Sequence, residues 1–266
     1  MEILMRFLEL TAKEMTPPKA YGNFHLLFWG IGLTLSLTVA FLLRHTKEKT
    51  NKYLLFGIGL FLLIAEIYKQ LFYTFYIEHG SYRFDRFPFQ LCSIPMYLCL
   101  VVPWLKPSKL KQALYTFIAS FGFMGGFVSY FSPESMCLSY WSLTLHSFTW
   151  HMLLIFLGLY LFFTGRAGHS FRDFFPAAIV YLSCCIIAFG INLLCYDLPG
   201  PDVNMFYIGP KPSQLVICRD IVKKFGWQIN SIIYISALTV CAAFFFAIYL
   251  MLRKKILRKI PKEKGA

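Results

Sequence analysis

The chain has 266 residues, 58% of them hydrophobic, 19% aromatic and only 15% charged, with a mean hydropathy of +0.58. A soluble domain carries about 25% charged residues, so this composition cannot cover a water-facing surface, and disorder, collagen-like structure and a small disulfide scaffold are excluded with it. The formal net charge of +13 leaves a nucleic-acid partner to be decided by where the charges lie.

Residues 1–21 mix Glu2, Arg6, Glu9, Lys13, Glu14 and Lys19 with apolar positions, and Pro17 and Pro18 separate them from the first long apolar run. They lack the apolar core and small-residue cleavage site of a signal peptide and predict a short amphipathic helix at the membrane surface. Seven runs are then long and apolar enough for a helix crossing ~30 Å of hydrocarbon: 22–43, 53–76, 87–105, 112–131, 139–164, 173–196 and 227–252. The third is the shortest, and the fifth is long enough to tilt. No alternating β pattern is present. The expected fold is all-α, a single domain over 1–266 built as a polytopic seven-helix bundle.

Lys and Arg set the orientation. Loops 44–52, 106–111, 165–172 and the C-terminal tail hold sixteen, whereas the N-terminal segment, Arg83, Arg86 and 197–226 hold nine. The basic side is expected to be cytoplasmic, with the N terminus outside and the C terminus inside. The basic tail then reads as a flank for anionic headgroups, and no nucleic-acid partner is expected. A chain without targeting segments fits a bacterial plasma membrane.

The eight cysteines form no CxxC pair and no Cys/His zinc spacing, so neither metal nor cofactor is expected. Cys99, Cys184, Cys185 and Cys241 read as buried packing residues. Cys137, Cys195 and Cys218 fall at or beyond the outer face, where a disulfide among them is open. The segment 197–226, with Pro199, Gly200, Pro201, Gly209, Pro210 and Pro212, reads as an outer cap or lid.

Ionisable groups in hydrocarbon cost about 2.5–3.5 kcal/mol each on the insertion scale, so they face the bundle interior and mark function. The second run holds Glu66 and Lys69, the third Gln90, Cys92 and Ser93, and the fifth His146, Ser147, Thr149 and His151. Asn192, Gln228, Asn230 and Ser231 come later in the chain. At 1.5 Å per residue the first three groups share a band roughly 5–18 Å below the outer boundary, which predicts a polar pocket in the outer half of the bundle under the 197–226 lid. Glu66 and Lys69 are three apart and can neutralise each other. His146 and His151 are about 140° apart on the helix, too far to point at one neighbour. The chemistry such a set supports is thiol nucleophilic catalysis, with Cys92 attacking, a histidine taking its proton, and Gln90 or Asn230 donating to an oxyanion. A bundle that coordinates a solute or proton at Glu66, as a transporter or binding module, is the alternative. A non-catalytic assembly factor is a third.

The segment Phe89-Gln90-Leu91-Cys92-Ser93-Ile94 resembles the Leu-Cys-Ser-Ile stretch of the YwaF / transmembrane protein 164 family of multispan membrane proteins. Glu66-Ile67-Tyr68, Ser132-Pro133-Glu134, His151-Met152-Leu153-Leu154-Ile155, Asn204-Met205-Phe206 and Lys211-Pro212 extend the likeness in order from the second run to the last. The resemblance implies a lipid acyltransferase: a cysteine takes an acyl chain from a phospholipid as a thioester and hands it to a lysophospholipid, assisted by a histidine. Those roles fall on Cys92 and His151. Glu66, Tyr68, Lys69, Ser93, Asn204 and Lys211 are then expected to orient the pair or bind a headgroup, with membrane phospholipids as partners. The androgen-induced gene 1 family of lipid hydrolases is more distantly similar. One departure stands out: relatives often carry His two residues before the cysteine, where this chain has Gln90.

Overall fold

The structure, a computed structural model, describes residues 2–198, 200–213 and 215–259, and the side chains of 216, 217 and 256–259 are likewise outside the description. Of the tail cations counted for orientation, Lys262 and Lys264 lie beyond the described residues. The described chain is helical, with no strand and a single isolated bridge between Glu14 and Tyr140.

In chain order the helices are α1 (Glu2–Thr11), α2 (Asn23–Leu42), α3 (Glu48–Leu71), α4 (Ile94–Val101), α5 (Lys109–Phe117), α6 (Phe123–Ser129), α7 (Trp141–Thr164), α8 (Phe174–Leu194), α9 (Val216–Phe225) and α10 (Trp227–Lys259). Five helical stretches are long and apolar enough to cross a membrane: Asn23–His45, Glu48–Ile77, Trp141–Thr164, Phe171–Leu194 and Trp227–Lys255. The other two expected crossings take a different form. The chain around α4 is helical only over Leu91–Trp104, about 21 Å at 1.5 Å per residue. Pro88 keeps the residue before it extended, and Gln90 is itself extended at φ −98°, ψ 164°, so the helix starts four residues later than the hydrophobic run. The fourth run is α5 and α6 joined through a π-turn, Ile118–Gly122, in which Phe123 N–H reaches back to Ile118 O. A second π-turn, Phe72–Ile77, ends α3.

α7 is the hub. Half of its apolar window is buried, against 11–28% for the other four long helices, and it packs on α2, α3, α6, the π-turn after α5 and α10. Close approach to α6 depends on Gly126, where an added Cβ would stand 2.7 Å from the His151 carbonyl oxygen and 2.8 Å from Leu154 Cβ. α7 stops at Gly165, whose φ of 65° is the left-handed cap that glycine adopts without strain. The core around it is aromatic, with Phe121 stacked on Tyr181 at 4.6 Å and on Phe174 at 5.6 Å. The outward faces of α2, α8 and α10 carry Ile31, Leu35, Ile179, Ile186, Ile232 and Phe244 exposed, an apolar belt suited to lipid rather than water.

α1 forms where the amphipathic pattern predicts a helix, and it packs against the π-turn that ends α3. Its Leu8 is fully buried beside Phe72 and Leu143, while Ile3, Phe7 and Leu10 remain exposed. The segment after it is sewn to the start of α7, Met15 N–H donating to Ser139 O at 2.8 Å and Trp141 N–H to Lys13 O at 3.0 Å.

The opposite end of the bundle holds a polar network that reading the apolar runs alone did not reveal. Asn51 is fully buried on α3, donating to Tyr115 Oη at 3.3 Å and accepting from Tyr160 Oη at 3.0 Å. Lys111 is buried with its ammonium on Glu48 at 3.1 Å and on the Leu105 carbonyl at 3.1 Å, and Arg166 joins the same Glu48 carboxylate. Two cations counted as loop charges are thus clamps between α3, α5 and the end of α7.

Candidate active site

A cavity of about 160 Å³ opens between the C-terminal half of α3, the N-terminal half of α7 and the turn that leads into α4. Its polar lining is Glu66, Lys69, Tyr73, Arg86, Cys92, Ser93, Ser135, His146, Ser147 and His151, closed by Leu138, Leu143 and Trp150. Side chains from separate apolar runs therefore converge, because each could be buried only where the others supply polar partners.

α3 brings Glu66 and Lys69 on one face. They form the ion pair their spacing predicts, Lys69 Nζ to Glu66 Oε2 at 2.8 Å, with Glu66 only 3% exposed. Glu66 Oε1 accepts from Gln70 Nε2 at 2.7 Å, and the same amide donates to the Arg86 carbonyl at 2.7 Å, tying the loop before α4 to α3.

Cys92 sits in the 3₁₀ turn Leu91–Ser93 that opens α4, and Pro95 comes next in the first turn of the α-helix. Trp150 Nε1 donates to the Cys92 carbonyl at 2.9 Å, fastening that turn to α7. On α7 the stripe Leu143, His146, Ser147, Trp150 and His151 lines the cavity, the i, i+3, i+4, i+7, i+8 pattern of one helix face. His151 Nδ1–H donates to the Ser147 carbonyl at 2.7 Å. A carbonyl can only accept, so the proton is on Nδ1 and Nε2 carries the lone pair. His146 Nε2 is buried without a partner and its ring lies 5.4 Å from that of Trp150. Both histidines line the cavity, reaching it from opposite edges of the stripe, as a separation of about 140° on the helix allows.

Other expected residues lie elsewhere. Tyr68 Oη donates to Thr11 Oγ1 at 2.8 Å and holds α1. Gln90 accepts from Phe206 N–H at 2.8 Å and donates to the Asn204 carbonyl at 3.2 Å. Asn204 caps its own loop, accepting from Gly209 N–H at 2.8 Å and donating to Lys211 O at 2.7 Å. Lys211 faces outward, its ammonium 3.4 Å from Asp202 and over the Tyr196 ring. Asn230 donates to Tyr207 O at 3.3 Å. None of these five lines the cavity, so Gln90 and Asn230 are engaged in holding loops rather than presenting donors to it. The role of Gln90 needs a donor and an acceptor but no proton transfer, which an amide supplies.

The lid is also corrected. Among the described residues none of 197–226 lines the cavity; its rim comes from Arg86 and from the 132–138 connection through Ser135 and Leu138. Residues 203–208 instead pack against α8, the turn before α4 and the start of α10. Asn192, fully buried, bonds both ways to Met205, accepting its N–H at 2.5 Å and donating to its carbonyl at 3.0 Å. The two residues that follow, Phe206 and Tyr207, have positive φ. All eight cysteines are free, including Cys137, Cys195 and Cys218. No group of three metal-ligating side chains is present among the described residues.

Tyr73, Arg86 and Trp150, with Ser135, Leu138 and Leu143, are the lining residues that sequence reasoning missed. The aromatic pair had no signal beyond helical spacing from Lys69 and His146, and Arg86 looked like one more loop cation.

Long apolar helices around a buried polar cavity define an integral membrane protein of the helical class. The model of the TMEM164 family matches residues 20–249, and the chain belongs to that family. No curated protein and no solved structure matches it.

Proposed function

We propose that the protein is a membrane phospholipid acyltransferase, or acyl hydrolase, working through a Cys92 thioester with His151 as the proton carrier. The observation that carries the reading is the shared cavity: the one cysteine on its wall lies with a histidine whose Nδ1–H is committed to Ser147 O, leaving Nε2 to act as base. In the first half-reaction His151 takes the thiol proton as Cys92 Sγ bonds to the ester carbonyl carbon. The tetrahedral intermediate then expels the glycerol oxygen, which leaves with the proton from His151. In the second, His151 takes the proton of a lysophospholipid hydroxyl, or of water in a hydrolase, as that oxygen attacks the thioester and the thiolate departs and is reprotonated. Ser93 and Ser147 on the same wall can donate to the intermediate oxyanion.

The proposed membrane arrangement is one domain with seven crossings, the N terminus outside, in a bacterial plasma membrane. The non-helical residues 87–90 supply part of the depth that the short helix around α4 lacks, and they are tolerated there because protein groups satisfy their backbone: Phe89 N–H donates to Phe87 O at 2.8 Å, Ser93 N–H to Gln90 O at 2.8 Å and Tyr97 Oη to Pro88 O at 2.9 Å. The cavity then lies in the outer half of the bilayer.

A solute or proton carrier centred on Glu66 is less well supported, since both carboxylate oxygens are occupied, one by Lys69 and one by Gln70. The test is acyl transfer in proteoliposomes. Cys92→Ala should abolish it, while Cys99→Ala, a fully buried packing site against Gly59, should leave it largely intact. Equal rates for Cys92→Ala and wild type would overturn the reading.

A further inference from the structure

Two cations, Lys69 and Arg86, line the cavity against one carboxylate, Glu66. Glu66 is matched by Lys69. In the loop between α3 and α4, Arg83 takes Asp85 with two bonds of 2.7 and 2.9 Å and Glu78 with a third of 2.7 Å. That leaves Arg86. Its closest carboxylate is Asp85, at 3.7 Å and already bound by Arg83, and its Nε is buried with no acceptor. What holds Arg86 in place is neutral: its guanidinium lies 4.3 Å over the Tyr73 ring and donates to Tyr73 Oη at 3.2 Å. Lys69, on the same wall, has one of its three donors on Glu66.

A part-exposed guanidinium lining a cavity whose wall also carries an ammonium is a site for an anion that can accept from both. Phosphate oxygens suit this geometry best, because the planar fork of arginine binds two of them side by side. We propose that Arg86, steadied by Tyr73 and assisted by Lys69, seats the phosphate of a phospholipid headgroup at the rim of the cavity. The headgroup is then anchored beside the loop while its ester lies deeper, toward Cys92. This inference rests on the reading that the cavity takes a phospholipid, and Arg86 acts as a binding residue.

Retention of lipid by the full chain, read by native mass spectrometry in a Cys92→Ala background, tests it without any chemistry taking place. The probes are dioleoyl phosphatidylglycerol, dioleoylglycerol and oleate, each added alone, with inorganic phosphate in a separate arm. Arg86→Ala should weaken phosphatidylglycerol retention about tenfold or more while leaving dioleoylglycerol unchanged. Arg86→Gln, which keeps most of the side-chain length over Tyr73, should lose retention similarly, and Arg86→Lys should keep part of it. Phosphatidylglycerol retained equally by wild type and both neutral variants would overturn the proposal, and so would an equal loss of oleate, which would make the seat a carboxylate site. Thermal stabilisation by inorganic phosphate that needs Arg86, without preference for the phospholipid over dioleoylglycerol, would assign the seat to free phosphate and overturn it too. Arg86-dependent phospholipid retention in a protein that never forms a thioester at Cys92 would leave this inference standing and remove the enzymatic reading.

Discussion

The indole N–H of Trp150 donates to the backbone carbonyl of Cys92 across 2.9 Å, so the turn that carries the thiol is hydrogen-bonded to the helix that carries both cavity histidines. Trp150 is 4% exposed, so water has little access to take over that bond. Trp150→Phe keeps most of the bulk but leaves that carbonyl unpaired, which should cost about 1–3 kcal/mol. The expected outcome is a lower unfolding temperature together with slower acylation of Cys92, checked by thermal unfolding in detergent and by the rate of thioester appearance. Unchanged values of both would mean the bond does not hold the turn.

The α6–α7 contact gives a paired prediction. Gly126→Ala puts a Cβ 2.7 Å from the His151 carbonyl oxygen, whereas a Cβ at Gly125 meets nothing within 4 Å. Overpacking of this kind costs about 1–3 kcal/mol, and it would displace the backbone at His151 directly. Gly126→Ala should therefore lower both stability and activity. Gly125→Ala should leave activity alone and gain up to about 1 kcal/mol by helix propensity. Thermal unfolding of the two variants side by side decides it.

At the far end of the bundle, Glu48 holds Lys111 and Arg166 together. Removing its charge strands the buried Lys111 ammonium; because Glu48 is itself half-exposed, the expected loss for Glu48→Gln is discounted to about 1–3 kcal/mol. Glu48 stands eighteen positions before Glu66 on one helix, about 27 Å along its axis. The variant should consequently unfold earlier yet keep its activity per folded molecule, measured well below the unfolding temperature.

How much of the site was legible in the sequence depends on what makes a residue conspicuous. Glu66, Lys69, Cys92, Ser93, His146, Ser147 and His151 stand out because polar groups are rare in apolar runs, and all seven line the cavity. Gln90 and Asn230 stand out for the same reason, and Asn204 through the resemblance, yet all three serve loops, because a buried amide satisfies backbone groups as readily as it meets a ligand. Arg86 was hidden by the opposite effect: a cation in a loop looks solvated until the turns of that loop bring it over Tyr73.

The helices show the same division. The long runs are fixed by hydropathy alone, but the late start of the helix around α4 and the π-turn joining α5 to α6 depend on local backbone choices. Pro88 and the extended Gln90 decide the first. In the second, Gly122 lets the π-turn lie close to α4, where an added Cβ would stand 3.0 Å from Pro95 Cγ. The lid was assigned to 197–226 on its length and its prolines, whereas the Asn192 side chain holds the backbone of Met205 against α8, a contact between distant positions that the apolar pattern does not show.

The central claim, a Cys92 thioester assisted by His151, is tested most directly by intact-mass spectrometry of the protein purified in native lipid, before and after hydroxylamine, beside Cys92→Ser and His151→Ala. The account predicts a fatty-acyl mass on the wild type that hydroxylamine removes, absent from Cys92→Ser and reduced in His151→Ala. No adduct in the wild type even with added phospholipid, or an adduct that persists in Cys92→Ser, would contradict it.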